Sequence, residues 1–401
     1  MTVLSLGSPF AMRLHHQNHN HNKRSAIGHM VRNSRMPCVL ALGQPIVDSL
    51  IRVTDEELMQ LGITETDGSI LMNSESEFLE LWGKVRALGK DIIMCPGGSA
   101  SNTIKTVAAF GTPAGLTGKI GDDEIGRVFS SALRSRGVKD LTTKSFQSKT
   151  GQVLCFVTKN GQTMRSYLGA SMEMNPTDLL EEDFDRSQCS LLHVEGYAVY
   201  NEQLLTAALK LAAKHKLEVS FDISPPQIAH TKGPVLKKML RDYVSIAFCN
   251  SMEAEALFPQ AKGDPREACR KLGKLVRIAV VTCDKDGCYV KDPEGEIFHV
   301  SPIRVDNVLD TTGAGDCFAG AFLHALNAGY NLKAAARLGT LAGAHIVQVM
   351  GAELPKDRIQ HILQEFNSPN AVLRDSDMKE SKKIAIPRSP SSSSGPIRIR
   401  G

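Results

Sequence analysis

An α/β fold built on a mostly parallel sheet is predicted for this chain by three observations. Short β-rich runs alternate with helical patterns of about 10–15 residues between residues 37 and 366, the rhythm of βαβ units. Two glycine-rich segments, Pro96–Asn102 and Asp310–Asp316, each open a helical pattern. Extended, partly alternating segments at 46–53, 69–72 and 152–168 break the rhythm and suit a small separate sheet.

The elements follow in order. Cys38–Gly43 is a compact apolar run ending in Gly, as a buried strand should be. Ile92–Cys95 is another apolar strand, and the helical pattern of Ser101–Phe110 is closed by Gly111. Ala114–Ile120 reads as a strand, and Asp122–Arg136 as an amphipathic helix stopped at Gly137. Leu191–Val194, Leu217–Asp222, Val244–Cys249 and Arg277–Thr282 read as strands. Between them stand the helical stretches Asn201–His215 and Pro265–Lys274, and an apolar helix spans Ala334–Met350.

Composition narrows the function classes. Of 401 residues, 42% are hydrophobic and 22% charged, ordinary globular usage that excludes a wholly disordered chain. No run of 18 apolar residues occurs, so no membrane-spanning helix is expected. The 47 basic and 43 acidic residues leave +4, much of it in the two termini, which gives the body no nucleic-acid signature. Nine scattered cysteines without a Cys-x-x-Cys pair argue for buried thiols in a reducing compartment. Residues 1–36 hold five His, several Ser and no acid. They read as a transit peptide for plastid or mitochondrion, or else as a disordered tail on a cytoplasmic protein. Residues 367–401 are polar and end in a Pro/Ser/Gly tract that cannot bury enough surface to fold.

The chemistry concentrates at Asp310-Thr-Thr-Gly-Ala-Gly-Asp316. Phe318, Phe322, Leu323 and Leu326 recur at helical spacing, so a helix starts within the glycines. Its first turn would offer the N–H groups of Gly313, Ala314 and Gly315, backed by the positive end of the helix dipole, to an anion. A carboxylate at Asp316 repels a phosphate, yet suits a base that takes the proton from a hydroxyl attacking that phosphate. The plainer reading is a glycine loop with an acid that favours the helix start. No Gly-Lys-Ser/Thr follows, which excludes a P-loop here.

The segment Asp310–Asp316 resembles the C-terminal signature of the ribokinase-like (pfkB) carbohydrate and nucleoside kinases. Pro96-Gly97-Gly98-Ser-Ala-Ser-Asn102 resembles their Gly-Gly-x-x-x-Asn element, Gly118–Gly126 the stretch after it, and Asn250-Ser-Met-Glu253 their Asn-x-x-Glu motif. All four stand in the family's order across residues 38–355. The resemblance implies the ribokinase-like fold, with helices on both faces of the sheet and a small β lid near 46–72 and 152–168. It implies ATP-dependent transfer of a phosphoryl group to a primary hydroxyl, with Asp316 as base and Gly313–Gly315 holding the charge. ATP would meet Thr282, Gly287, Gly313, Gly315 and His345, although His345 also reads as a core histidine. Asp284 stands where the family usually has Gly.

Magnesium would belong to Asn250 and Glu253, and the family leaves room for a monovalent cation. Gly97 and Gly98, lacking Cβ, would let a sugar approach the backbone, and Asn102 would bind its hydroxyls. Gly43-Gln-Pro-Ile-Val-Asp48 and Arg165-Ser166 resemble the adenosine-kinase branch most, which makes Asp48, Gln44 and Arg165 acceptor residues; Gln44 replaces that branch's Asn. Expected partners are ATP and a small nucleoside or sugar, with no nucleic acid or membrane, the chain being a monomer or homodimer. A sugar kinase of the fructokinase type and a catalytically silent organellar interaction protein are the alternatives. A dinucleotide-binding dehydrogenase is excluded by the lack of Gly-x-Gly-x-x-Gly after the first strand.

Overall fold

The computed structural model describes residues 38–368, apart from 65–67, 73, 160 and 186–187. The readings of residues 1–36 and of the tail beyond 368 lie outside the described residues. The chain begins β1 (Cys38–Leu42), β2 (Ile46–Arg52), α1 (Asp55–Gln60), β3 (Gly68–Leu71), α2 (Glu75–Ala87), β4 (Ile92–Gly97), α3 (Ser99–Ala109). It continues β5 (Ala114–Thr117), β6 (Lys119–Gly121), α4 (Glu124–Ser135), β7 (Val138–Asp140), β8 (Thr143–Ser145), β9 (Gly151–Val157), β10 (Gln162–Tyr167). Next come β11 (Cys189–Val194), α5 (Glu202–Lys214), β12 (Glu218–Asp222), α6 (Pro226–Tyr243), β13 (Ile246–Asn250), α7 (Ser251–Leu257) and α8 (Pro265–Leu272). The last are β14 (Ile278–Thr282), β15 (Cys288–Lys291), β16 (Ile297–Val300), α9 (Ala314–Asn327), α10 (Leu332–Ile346) and α11 (Lys356–Phe366).

Nine strands form the main sheet in the order β16-β15-β14-β13-β12-β11-β1-β5-β7. Pairing is parallel from β7 to β14 and antiparallel only along β14-β15-β16 at one edge. Central strands such as β1, Cys-Val-Leu-Ala-Leu, are apolar throughout because helices cover both faces. One face packs on α3, α4, α9, α10 and α11, where Phe322 meets Phe248 edge-on at 5.3 Å. The other packs on α5 to α8, with Phe221, Leu205 and Leu240 in its core. The expected strand at 114–120 divides at Gly118 into β5 and β6. Helix α6 escapes the sequence pattern because Pro234 removes one donor from its interior. Burial of Ile228, Leu236, Met239 and Leu240 outweighs that loss.

A second sheet, β3-β10-β9-β2-β4, gathers all three interrupting segments and adds β4, the strand before the glycine pair. Strand alternation gives it two unlike faces. One carries Ile51, Leu154 and Phe156 against Phe78, Leu81 and Val85 of α2. The other carries Asp48, which lies opposite Cys95 on β4 and Val153 on β9; Val153 in turn lies opposite Ser166 on β10.

Candidate active site

The two glycine-rich loops meet where α3 and α9 pack together. Gly98 caps α3 at φ 93, and a Cβ there would lie 2.5 Å from the Gln44 carbonyl oxygen. A Cβ at Gly97 would collide with the Asp48 carboxylate, so the lid strand β2 presses its acid directly onto the glycine backbone. Burial pushes the Asp48 carboxyl up to about 6; Lys105 opposes that shift and Asp316 adds to it. Gln44 donates its backbone N–H to Glu195 Oε1 at 2.7 Å, and its side-chain amide lies 3.6 Å from the Met172 sulfur. Asp48, Gln44, Gly97 and Gly98 therefore lie side by side.

Gly313 takes the left-handed conformation at φ 73 as the cap of α9, and a Cβ on it would strike that of Ala352. The Ala314 N–H turns back onto the Thr311 carbonyl at 3.3 Å, so it is not presented to an anion as expected. The amides of Gly313 and Gly315 have no backbone partner among the described residues. Gly315 is exposed, and a Cβ there would meet open space. Asp310 fixes the loop, accepting from Thr312 N at 2.9 Å and from Gly351 N at 2.9 Å.

Asp316 is half-buried between two donors. Ser99 Oγ donates to Oδ1 at 2.7 Å and Asn102 Nδ2 to Oδ2 at 2.9 Å. Desolvation raises its pKa, while those two hydrogen bonds and Lys105 hold it down. Asn102 thus gives one amide N–H to Asp316, while its Oδ1 is buried without a partner.

Two further assignments are corrected. Arg165 lies opposite Leu154 on β9, the face turned to α2, and donates to Thr163 Oγ1 at 2.9 Å. A period of two puts only one member of the Arg-Ser pair on the face that carries Asp48, and that member is Ser166. His345 points to α11, 3.6 Å from Glu365 Oε2 and near Arg358 and His361, which removes it from the nucleotide residues. Thr282 lies at the carboxyl end of β14 opposite Asn250. Gly287 closes the following turn at φ 85. Asp284 adopts φ 46, the left-handed region that the family's Gly reaches freely, at a strain of about 1 kcal/mol.

Asn250 and Glu253 satisfy one another as a capping box. Glu253 Oε2 accepts from Asn250 N at 2.8 Å, Oε1 accepts from Asn250 Nδ2 at 2.9 Å, and Asn250 Oδ1 accepts from Glu253 N at 2.9 Å. Far from being an exposed acid at a helix start, Glu253 is buried, which pushes its carboxyl up to about 7. Among the described residues no three His, Cys, Asp or Glu side chains converge on a metal-sized site. Each oxygen of the pair already accepts one of these hydrogen bonds, so as it stands the pair would meet a magnesium ion through water and not directly.

Sequence reasoning missed Ser99, Lys105, Glu195 and Asp222. Glu195 is buried, joins Gln44 N to Ala100 N (2.8 Å) and is pushed up to about 7 by desolvation. Asp222, raised well above the usual carboxylate range by burial and then by Glu253, stands at the end of β12. Acids at the carboxyl ends of strands in a doubly wound sheet were the available signal for both. A lysine among the apolar residues of α3 was the signal for Lys105.

The family model described as pfkB family carbohydrate kinase matches residues 69–358. Adenosine kinase of Saccharomyces cerevisiae is 25% identical over 346 residues, 80% of this chain and 98% of that protein. The 5-dehydro-2-deoxygluconokinase of Shouchella clausii is 29% identical over 263 residues, 63% of this chain and 80% of that protein. The crystal structure of adenosine kinase from Sinorhizobium meliloti superposes with a TM-score of 0.72 at 28% identity, covering 82% of this chain and 99% of that one. The paired glycine loops, the acid held at the start of α9 and the strand order now have one explanation: the chain belongs to the pfkB family of carbohydrate kinases, ribokinase-like phosphotransferases that act on an alcohol group.

Proposed function

We propose that the acceptor is a ribonucleoside, phosphorylated by ATP on its primary hydroxyl. The observation that carries the nucleoside over a bare sugar is a cavity of about 440 Å³ on the face of the lid sheet that carries Asp48, whose strand partner Cys95 lines it. Leu50, Ile93, Cys95 and Val157 give it an apolar floor suited to a base, which a bare sugar does not need, and Arg52, Lys90 and Asp91 add polar edges. Asp48, opposite Cys95 on the same face, accepts hydrogen bonds from a ribose diol. The likeness to adenosine kinases over nearly their whole length supports the same reading.

The chemistry follows from the two loops. Asp316 takes the proton of the hydroxyl as its oxygen attacks the γ-phosphorus and ADP leaves. Ser99 and Asn102 hold the carboxylate in one orientation. The Gly313 and Gly315 amides, with the dipole of α9, receive charge on the phosphoryl oxygens. Magnesium, assigned no ligand on this chain, would accompany the nucleotide's phosphates.

The test is Asp48→Ala, assayed with ribonucleosides, 2′-deoxy analogues and fructose. Wild type should prefer ribose over 2′-deoxyribose, and the variant should lose about 10²-fold in kcat/KM together with that preference. On wild type the acceptor KM should climb as pH falls through about 6, where Asp48 takes a proton. If fructose outcompetes every ribonucleoside in kcat/KM, the nucleoside reading fails.

A further inference from the structure

Lys105 is a buried cation that the mechanism above does not use. Its ammonium donates to the Pro96 carbonyl at 2.6 Å, the residue before the glycine pair, and lies 3.4 Å from Glu353 Oε1. Glu353 Oε2 is held in turn by Arg136 at 2.8 Å. The neighbouring residues bind the opposite loop: Gly351 donates to Asp310, and Ala352 packs where a side chain on Gly313 would stand. One short segment, Gly351–Glu353, therefore touches the phosphate loop at one end and the acceptor loop, through Lys105, at the other.

We propose that Lys105 and Glu353 are positioning residues that fix the distance between the acceptor loop at 96–98 and the phosphoryl-transfer loop at 310–316. Ser99 and Asn102 already tie α3 to Asp316 at one point, and the Lys105–Glu353 pair adds a second tie between the loops through the Gly351–Glu353 segment. Two separate ties set the gap between attacking oxygen and phosphorus, where about 1 Å of misplacement can cost roughly 10²-fold in rate. An ammonium between a carbonyl and a carboxylate resists stretching in both directions, because a buried lysine separated from either partner loses a charge-assisted bond. The inference rests on Asp48 and Asp316 having the roles given above.

The experiment is a double-mutant cycle of Lys105→Met and Glu353→Gln on the full chain, with Lys105→Arg as the conservative variant. Lys105→Met should lower kcat about 10²-fold, with the KM for ATP within threefold of wild type and a folded far-UV spectrum at assay temperature. Glu353→Gln, at a partly exposed site outside the core, should lower kcat by a smaller factor. The double variant should be no slower than Lys105→Met alone, and Lys105→Arg should recover part of the loss. Multiplying losses in the double variant would overturn the proposal, as would an unchanged kcat with only a lower melting temperature. If Lys105→Met does not fold, Glu353→Gln decides alone: kcat equal to wild type refutes the link. An inert Asp316→Asn beside a normal Lys105→Met would sink this inference while leaving the catalytic reading intact; an active Asp316→Asn would sink that reading instead.

Discussion

Asp316→Asn is expected to reduce turnover about 10²–10⁴-fold while leaving the fold and the KM for ATP nearly unchanged. The replacement keeps the size of the side chain and removes its basicity. Two donors, Ser99 Oγ and Asn102 Nδ2, now face the carboxylate, and an amide can accept from only one of them. Asn102 can absorb the change by rotating its own amide, since its Oδ1 has no partner where it stands and could accept from the new NH₂. The loss should therefore be chemical and not structural. Steady-state kinetics with a melting curve check it, and activity within a few-fold of wild type would remove Asp316 from the base role.

The second large effect is at Gly97. The Asp48 carboxylate occupies the place a methyl group would need, so Gly97→Ala must either swing the acid aside or part β2 from β4. The expected result is a fall of about 10²-fold in kcat/KM for the acceptor, with ATP binding untouched. Because the damage passes through Asp48, adding Asp48→Ala should cost little more. Full additivity of the two changes, or a Gly97→Ala enzyme within threefold of wild type, would show that the contact does not govern acceptor binding.

The parts of this site that were legible in the sequence are those whose demands are local. Gly97, Gly98 and Gly313 each answer to backbone within the same turn or to a strand lying directly upon it. The strand–helix alternation announced the main sheet for the same reason. What stayed hidden depends on long-range packing. Asn102 meets Asp316 only because α3 docks on α9, 214 residues along the chain. Arg165 and Ser166 are adjacent in sequence, and only the pairing of β10 with β9 decides which of them sees the acceptor. His345 was placed in the correct helix, but the side facing α11 is fixed by a partner no local pattern reveals. For Asn250 and Glu253 the spacing that suggests a metal site is also the spacing of a capping box, and the hydrogen bonds obey the second.

The crowding of acids around this site has a calorimetric consequence. Glu195 and Asp48, raised to about 7 and about 6, are partly protonated near neutral pH in the free protein. A polyanion arriving beside them makes their charged forms less favourable still, so nucleotide binding draws protons from solution. Those protons come from the buffer. The heat of binding at neutral pH therefore includes the buffer's own ionisation heat, and differs between phosphate and Tris even where the affinity is the same.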